Sequence, residues 1–249
     1  MKALLLCAGY ATRLYPLTLN QPKQLLLIAG RPMLDYTIDQ LSEIDEIDEI
    51  YLVTNNKFYK TFFDWSKTLK TKKTIKVFND GTLSDQTKLG AVGDMKFILD
   101  NTKMNDDLMV LAGDNLFLLN LKNFIHFFET KKSNSICLKD VEDFELIKKY
   151  SEVELDNNEK VLSFREKPTD PKTTLAAICI YLFPKNKLNL IHKYINEGNN
   201  PDQPGRYIQW LHKVDDVYGY VFKDNWYDIG DLGQYKEADE DYKHMRGSK

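Results

Sequence analysis

The chain has 249 residues, of which 43% are hydrophobic and 29% are charged, as is usual for a globular protein. Its net charge of −3, with lysines dispersed among acidic residues, excludes the basic stripe typical of nucleic-acid binding. The apolar run before Arg13 is too short for a signal peptide or a membrane span, so we expect a cytoplasmic protein with no membrane partner. The wide spacing of Cys7, Cys137 and Cys179 favours free thiols over a disulfide or zinc framework.

The predicted elements alternate along the chain between apolar runs of strand length and amphipathic helices. They are a strand at 3–8, a helix at 32–44, strands at 49–54 and 74–78, a helix at 89–101, a strand at 108–113, a helix at 121–132, and strands at 135–140 and 176–183. Unbroken apolar runs indicate strands buried on both faces, as in a parallel sheet covered by helices. The sequence therefore predicts an α/β protein. Because no Pro-, Gly- or Ser-rich linker interrupts it, we expect one continuous domain over 1–249.

The first predicted strand continues into the loop "AGYATRL", which has the features of a phosphate-binding turn. Gly9 allows the backbone to approach an anion, and the amides of such a turn form a positive concavity. Thr12 and Arg13 add a hydroxyl and a guanidinium as donors to phosphate oxygens. The loop is neither a GxxxxGK[ST] loop nor a GxGxxG fingerprint, because Ala11 occupies the second glycine position. Taken alone, it is equally consistent with an ordinary tight turn.

A longer stretch, "LLCAGYATRLYPLTLNQPKQLLLIAGRPMLDY", resembles the signature that opens the sugar-1-phosphate nucleotidyltransferases. That signature is an apolar strand, a Gly-x-Gly-Thr-Arg loop, and then "PLT", "PK", "LLP" and "KPM". Three later motifs follow in the family's order: "LAGDN" (111–115), "FREKP" (164–168) and "NWYDIGD" (225–231). The resemblance, over about residues 2–240, implies a Rossmann-like three-layer α/β/α fold (GT-A-like) with a mixed, mainly parallel central sheet. It also implies a nucleotide-binding half, about 1–115, and a sugar-phosphate-binding half, about 116–240.

The reaction implied by the resemblance is attack of a sugar-1-phosphate oxygen on the α-phosphorus of a nucleoside triphosphate. Such a transfer depends on positioning and charge neutralisation rather than on covalent work by the protein. The resemblance assigns catalytic roles to Arg13, Lys23 and Asp114, and makes Asp114 and Asp228 ligands of Mg²⁺, a cation commonly held by one or two carboxylates and substrate phosphates. On residue type alone, Asp114 is equally consistent with a turn or helix cap, and Lys23 with a solvated surface charge.

The resemblance also carries over the residues that bind the two substrates. It implies that the nucleotide contacts Ala8, Gly9, Ala11, Thr12, Arg13, Lys23, Gln24, Asn79 and Gly90, and that the sugar phosphate contacts Glu166 and Lys167. The alternatives are a turn-forming role for Asn79 and an exposed surface pair for Glu166 and Lys167. We expect the opening loop to tolerate Ala11 in place of glycine, since its methyl group is small.

The choice of base and acceptor is less clear from the sequence. Segment 78–94 is longer than its counterpart in the thymidylyltransferases and is also similar to a CTP-using branch of the superfamily, although Asn79 and Gln86 suit a pyrimidine edge. We expect dTTP or UTP with a hexose-1-phosphate; the alternatives are CTP with a sugar, alditol or choline phosphate, and a non-catalytic regulatory subunit. The roles of Asp94 and Arg206 stay open, and a homo-oligomer is consistent with the family.

Overall fold

The structure is a computed structural model, and it describes residues 1–247. The strands are β1 (Lys2–Leu6), β2 (Leu27–Ile28), β3 (Arg31–Pro32), β4 (Glu49–Thr54), β5 (Thr74–Asn79), β6 (Leu108–Ala112), β7 (Asn115–Phe117), β8 (Asn134–Asp140), β9 (Ser151–Leu155), β10 (Val161–Glu166), β11 (Leu175–Phe183), β12 (Val217–Phe222) and β13 (Trp226–Asp228). The helices are α1 (Met33–Ser42), α2 (Tyr59–Ser66), α3 (Ala91–Asn101), α4 (Leu121–Lys131), α5 (Phe144–Ile147), α6 (Asn189–Asn196), α7 (Pro204–Val214) and α8 (Leu232–Gly247). The predicted strands and helices all form, with boundaries that differ by at most two residues.

The central sheet is mixed, as predicted. Its strands follow the order β10-β9-β11-β6-β1-β4-β5, and β8 pairs with β11 and β12. The half that contains β1, β4, β5 and β6 is parallel throughout, whereas β11 runs antiparallel to β6, β8 and β9. The apolar runs of β8 and β11 therefore report burial on both faces rather than strand direction.

Helices cover both faces of the sheet because successive side chains of a strand point to opposite sides. Leu5 of β1 packs in a core with residues of α1, α2 and α4, whereas the neighbouring Leu4 packs in a second core with residues of α3, α6 and α7. Both leucines are fully buried. This arrangement confirms the predicted three-layer α/β/α fold.

A third, smaller core joins the start of the chain to its end. Leu14, Leu26, Ile28 and Met33 from the opening segment pack with Ile229 and with Ala238 and Tyr242 of α8. The same region contains a two-stranded ribbon in which β13 runs antiparallel to β7. The C-terminal residues are thereby held beside the opening loop.

Two further expectations concern the cysteines and the membrane. Cys7, Cys137 and Cys179 are free thiols, as predicted, and burial raises the pKa of each. Within residues 1–247, no helix combines the length and the hydropathy needed to cross a bilayer.

Candidate active site

A cleft of about 570 Å³ opens at the carboxyl ends of β1 and β6. The chain leaves β1 for β4 and β5 on one side and returns to β6 on the other, and such a reversal of strand order is where open α/β sheets bind ligands. The cleft is lined by Leu6, Ala8, Gly9, Tyr10, Ala11, Thr12, Arg13, Lys23 and Gln24 from the opening segment, by Asp85, Lys88, Gly90, Ala91, Asp94, Ala112, Asp114 and Asn115, and by Tyr150, Ala177, Ile178, Cys179, Asp202, Pro204, Trp226 and Asp228.

The opening loop forms one wall of the cleft. Its backbone is anchored by the Asn55 side-chain amide, which donates to the Ala8 carbonyl at 2.9 Å, and by the Thr18 hydroxyl, which donates to the Ala11 carbonyl at 2.7 Å. In the part of the chain that the structure describes, the N–H groups of Gly9 and Thr12 donate to no other protein group. Unpaired amides at the rim of a cleft are suited to anionic oxygens.

Ala11 adopts the left-handed conformation, with φ 49° and ψ 44°. The expectation that the loop tolerates alanine is met in the structure, but an L-residue there costs about 1–2 kcal/mol. Replacing it with glycine removes that cost and adds roughly 0.5–1 kcal/mol of backbone entropy loss on folding.

We therefore expect Ala11→Gly to raise the free energy of unfolding by about 0.5–1 kcal/mol, measured by urea denaturation. Ala91→Gly is the opposite-sign control, because Ala91 begins α3 and glycine lowers helix stability by up to about 1 kcal/mol. A loss of stability in Ala11→Gly would show that the left-handed backbone at this position is not strained.

Lys23 and Asp114 form an ion pair in the floor of the cleft. Lys23 Nζ lies 2.6 Å from Asp114 Oδ2, and the lysine is only 8% exposed. Asp114 follows β6 directly, where the Gly113 N–H donates to the Leu6 carbonyl at 3.0 Å. A Cβ atom on Gly113 would lie 2.4 Å from Cys7 Sγ, so only glycine allows β6 to approach β1 this closely. Lys23 is thus a buried, paired residue rather than a solvated surface charge.

The ribbon of β7 and β13 brings Asp228 to the same place. Asp228 pairs in register with Asn115, the residue after Asp114, and the Ile229 N–H donates to the Asp114 carbonyl at 3.2 Å. Burial, and then the charge of Asp114, raise the pKa of Asp228, while Lys23 and Arg13 oppose this shift. The four charged groups that the sequence assigned from separate motifs therefore meet in one cluster.

This cluster contains two cations and two carboxylates with distinct environments. Arg13 is exposed in the cleft, and its guanidinium group lies close to Gly230. A Cβ atom on Gly230 would be 3.9 Å from both terminal guanidinium nitrogens of Arg13. Within residues 1–247, no group of three or more His, Cys, Asp or Glu side chains forms a ready-made metal cage. Two adjacent carboxylates without a third protein ligand suit a hard cation that takes its remaining ligands from water and phosphate.

The start of α3 forms the opposite wall of the cleft. The Ala91 and Val92 N–H groups donate to the carbonyls of Asp202 and Pro201, at 3.1 and 2.9 Å. Gly90 has a φ of 80°, and a Cβ there would lie 2.5 Å from the Asp202 Cα atom. Lys88 Nζ lies 3.0 Å from an Asp202 carboxylate oxygen, which strengthens the same contact. The Gly90 segment is therefore joined tightly to the loop before α7.

Glu166 and Lys167 lie behind the cleft wall rather than among its lining residues. The Ser151 hydroxyl donates to Glu166, and the Glu166 carboxylate packs so closely on Gly205 that a Cβ there would overlap it. The Lys167 N–H donates to the Tyr150 carbonyl at 2.9 Å, and its side chain is exposed. Both residues adjoin Tyr150 and Pro204, which do line the cleft.

Asn79, which was predicted as a nucleotide-binding residue, is not among the lining residues of the cleft. Its amide nitrogen donates to Asn56 Oδ1 at 2.8 Å, and its oxygen accepts from the Gly81 N–H at 2.9 Å. Asn79 thus has the turn-forming role that the sequence left as the alternative. Gln86, the other amide considered for base reading, is exposed and is also absent from the lining.

Several lining residues were not predicted. Asp94, whose role was left open, is 4% exposed at the base of the cleft, and Asp202 enters from the segment in which only Arg206 was considered. Arg206 instead donates to its neighbour Gln203 at 2.8 Å. Cys179 lines the cleft at an irregularity of β11, with a φ of 54°. A positive φ inside a strand leaves no signal in a single sequence.

Comparison with known proteins places this geometry in a family. A family model described as "Nucleotidyl transferase" matches residues 2–245. A "Putative mannose-1-phosphate guanyltransferase" of Sulfolobus acidocaldarius is 32% identical over 192 residues, covering 77% of this chain and 50% of that protein. A "Bifunctional protein GlmU" of Methanocaldococcus jannaschii is 30% identical over 230 residues, covering 92% of this chain and 51% of that protein. The chain thus spans about half the length of these relatives.

Solved structures agree with the fold. A structure of UDP-glucose pyrophosphorylase complexed with UDP-glucose superposes on this chain with a TM-score of 0.82 and covers 98% of both chains. The two sequences are 18% identical, so this likeness concerns the fold.

Proposed function

Since the chain belongs to the nucleotidyl transferase family, we propose that it transfers a nucleotidyl group from a nucleoside triphosphate to a hexose-1-phosphate, releasing pyrophosphate. The observation that carries this proposal is the convergence of Arg13, Lys23, Asp114 and Asp228 in one cleft. These groups come from distant parts of the chain and supply both signs of charge. Both substrates are anions, so bringing them together requires cations.

The proposed reaction exchanges one phosphorus–oxygen bond for another. A phosphate oxygen of the hexose-1-phosphate attacks the α-phosphorus, and the bond to the bridging oxygen breaks as pyrophosphate leaves with the negative charge. The unpaired amides of the opening loop and the Arg13 guanidinium stabilise that charge. Lys23, held by Asp114, neutralises charge on the phosphate undergoing attack. Positioning by these fixed groups supplies most of the rate enhancement.

The residues present fit the cation that the family implies. Asp114 and Asp228 are adjacent carboxylates, and the charge of Asp114 on Asp228 favours a cation between them. We propose that they hold Mg²⁺, which when bound would neutralise phosphate charge and help to orient the phosphates. We propose that Glu166 and Lys167, which adjoin the lining residues Tyr150 and Pro204, contact the acceptor sugar phosphate at this edge of the cleft.

We propose dTTP or UTP as the nucleotide. The solved relative complexed with UDP-glucose supports a uridine nucleotide, whereas the Sulfolobus relative is named for guanyl transfer. Asp85 and Lys88, which precede Gly90, are ionisable groups that reach the cleft, and polar side chains there are suited to selecting a base edge.

Pyrophosphate release tests the proposal. The purified chain is given Mg²⁺ and each of dTTP, UTP, CTP, ATP and GTP, with glucose-1-phosphate, other hexose-1-phosphates, and choline and glycerol phosphates as acceptors. We expect release with a pyrimidine triphosphate and a hexose-1-phosphate. Release only with CTP and choline phosphate would replace the acceptor and base proposed here. No release with any pair, while nucleotide binding is intact, would indicate either an acceptor outside this set or a regulatory protein.

A further inference from the structure

Two carboxyl groups have no role in the proposed reaction: Asp94, which is buried and lines the cleft, and Asp80, which is partly buried and lies outside the lining. Asp94 lies in the first turn of α3, and Asp80 follows β5 in the turn that leads toward Gly90. Oδ1 of Asp94 and Oδ2 of Asp80 are shielded from solvent and accept no hydrogen bond from a donor within residues 1–247. A buried acceptor without a hydrogen bond lowers the stability of the fold, so these two oxygens are expected to have a partner or a function.

The two side chains are within hydrogen-bonding reach of each other. Two ionised carboxylates at that distance repel, whereas a proton on one of them makes a donor for the other. Desolvation, followed by the charge of Asp80, raises the pKa of Asp94 to about 8. Among the described residues, the buried thiol of Cys7, directly after β1, also senses the charge of Asp94, and the Tyr10 hydroxyl senses that of Asp80; neither group adds a positive charge.

Asp80 also organises the turn on which the opening loop rests. Its Oδ1 accepts hydrogen bonds from the Thr82 N–H and hydroxyl, both at 2.7 Å. The Thr82 carbonyl accepts in turn from the Tyr10 hydroxyl at 3.2 Å and from the Asn56 N–H at 3.0 Å. A chain of contacts therefore runs from α3 through Asp80 and Thr82 to the opening loop, across the floor of the cleft.

We propose that Asp80 and Asp94 share one proton, and that this pair is a positioning device that holds the opening loop and α3 at the separation required for nucleotide binding. This inference deepens the proposed function and rests on it for the identity of the ligand. Ionisation of both carboxyls introduces repulsion between the two walls, so the cleft loses its binding geometry at alkaline pH.

The sign of the pH effect follows from the folded and unfolded states. Asp94 in the unfolded chain has an ordinary pKa near 4, far below its folded value. Its contribution to stability is therefore fully present below about pH 4 and is lost as the pH rises through about 8. An asparagine at the same position donates a hydrogen bond without titrating.

The first measurement is urea unfolding of the ligand-free protein at pH 5, 6, 7, 8 and 9. Relative to Asp94→Asn, the unfolding equilibrium constant of the wild type is expected to rise by up to tenfold per pH unit up to about pH 8 and then to level off. Asp80→Asn is the matched variant, because its amide oxygen keeps the Thr82 contacts while its nitrogen donates to Asp94. Asp80→Asn is expected to reduce this slope, because it removes the charge of Asp80 while the desolvation of Asp94 remains. If the unfolding equilibrium constant changes with pH in the same way in the wild type and in both variants, Asp80 and Asp94 do not share a proton.

The second measurement separates positioning from a purely structural role. Binding of UTP, dTTP, CTP and GTP is measured by calorimetry at pH 7 and 9, and hydrogen exchange of residues 8–13 is measured without ligand. We expect the wild type to bind nucleotide at least tenfold more weakly at pH 9 than at pH 7. The amide hydrogens of residues 8–13 should also exchange faster at pH 9, after correction for the intrinsic exchange rates. Asp94→Asn should keep its affinity within about twofold at both pH values, and Asp94→Ala should be weak at both.

The outcomes distinguish this inference from the proposed function. Unchanged loop exchange and affinity at pH 9, together with the unfolding slope, would overturn the positioning role. If no triphosphate binds at either pH, the proposed function fails, while the unfolding and exchange results still decide whether the pair shares a proton and holds the loop.

Discussion

Asp114→Asn is expected to abolish metal-dependent pyrophosphate release while leaving the fold nearly intact. The asparagine oxygen can still accept from Lys23 Nζ, which lies 2.6 Å from Asp114 Oδ2, so the buried lysine keeps a partner. The substitution removes one of the two carboxylates available to a cation, and the loss should exceed the roughly 100-fold that follows loss of an outer-shell partner of a metal ligand. Turnover is measured at limiting and saturating Mg²⁺, with stability followed by urea unfolding.

Asp64→Asn is the matched control, since Asp64 is an exposed carboxylate paired with Lys60 on α2, far along the chain from the motifs of the cleft. It should leave turnover unchanged. Asp228→Asn should resemble Asp114→Asn, and the double variant should be little worse than either, because residues that act as a unit are not additive. An unchanged rate at limiting Mg²⁺ in Asp114→Asn would remove Asp114 from the site.

Gly90→Ala is expected to lower the melting temperature by roughly 5–10 °C and to weaken nucleotide binding. Gly90 has a φ of 80°, and its Cβ would lie 2.5 Å from Asp202 Cα and 2.6 Å from the Pro201 carbonyl oxygen. These neighbours are backbone atoms of Pro201 and Asp202, whose carbonyls accept hydrogen bonds from the first two N–H groups of α3. If they moved away from the new methyl group, α3 would separate from the loop before α7. The measurements are thermal unfolding and calorimetric titration.

Gly198→Ala isolates the contribution of the clash. Gly198 has a φ of 78°, nearly that of Gly90, but a Cβ there would meet nothing within 4 Å. Gly198→Ala should lower the free energy of unfolding only by the cost of an L-residue in the left-handed conformation, about 1–2 kcal/mol, and should leave nucleotide binding unchanged. Equal losses of stability in the two variants would show that the contact with Pro201 and Asp202 is not tight.

The main strands and helices of the alternating pattern were predictable because their signals are local, whereas α2, α6, α7 and α8 were not predicted. The apolar runs at 49–54 and 108–113 become β4 and β6, and the stripe at 121–132 becomes α4 with Asn120 as its cap. Strand direction was not predictable in the same way. The runs at 135–140 and 176–183 look like parallel strands, yet β8 and β11 are antiparallel to each other, because burial on both faces produces the same pattern for either direction.

Some of the predicted site residues line the cleft and others do not, and the difference depends on the kind of signal that each residue has in the sequence. Arg13, Lys23, Asp114 and Asp228 lie in motifs with distinct residue order, and the structure assembles them as the resemblance implied. Asn79 lies outside the lining, and hydrogen bonds within the turn region occupy both of its amide atoms. An Asn-Asp-Gly sequence suits a ligand or a turn, so its role in nucleotide binding stays a prediction. The role of Asp94 was left open and Asp202 was missed because their positions depend on how α3 packs against the loop before α7.

The sequence by itself determined the α/β class and the order of the main alternating elements, since periodicity is a local property of the chain, and its resemblance to a known family pointed to the ionic groups of the cleft. Only the tertiary structure decided which strands pair, why Gly90 and Gly113 must lack a side chain, and that two carboxyls from separate elements face each other beneath the opening loop. These features depend on distances between segments far apart in sequence, and such distances are set by packing of the whole core.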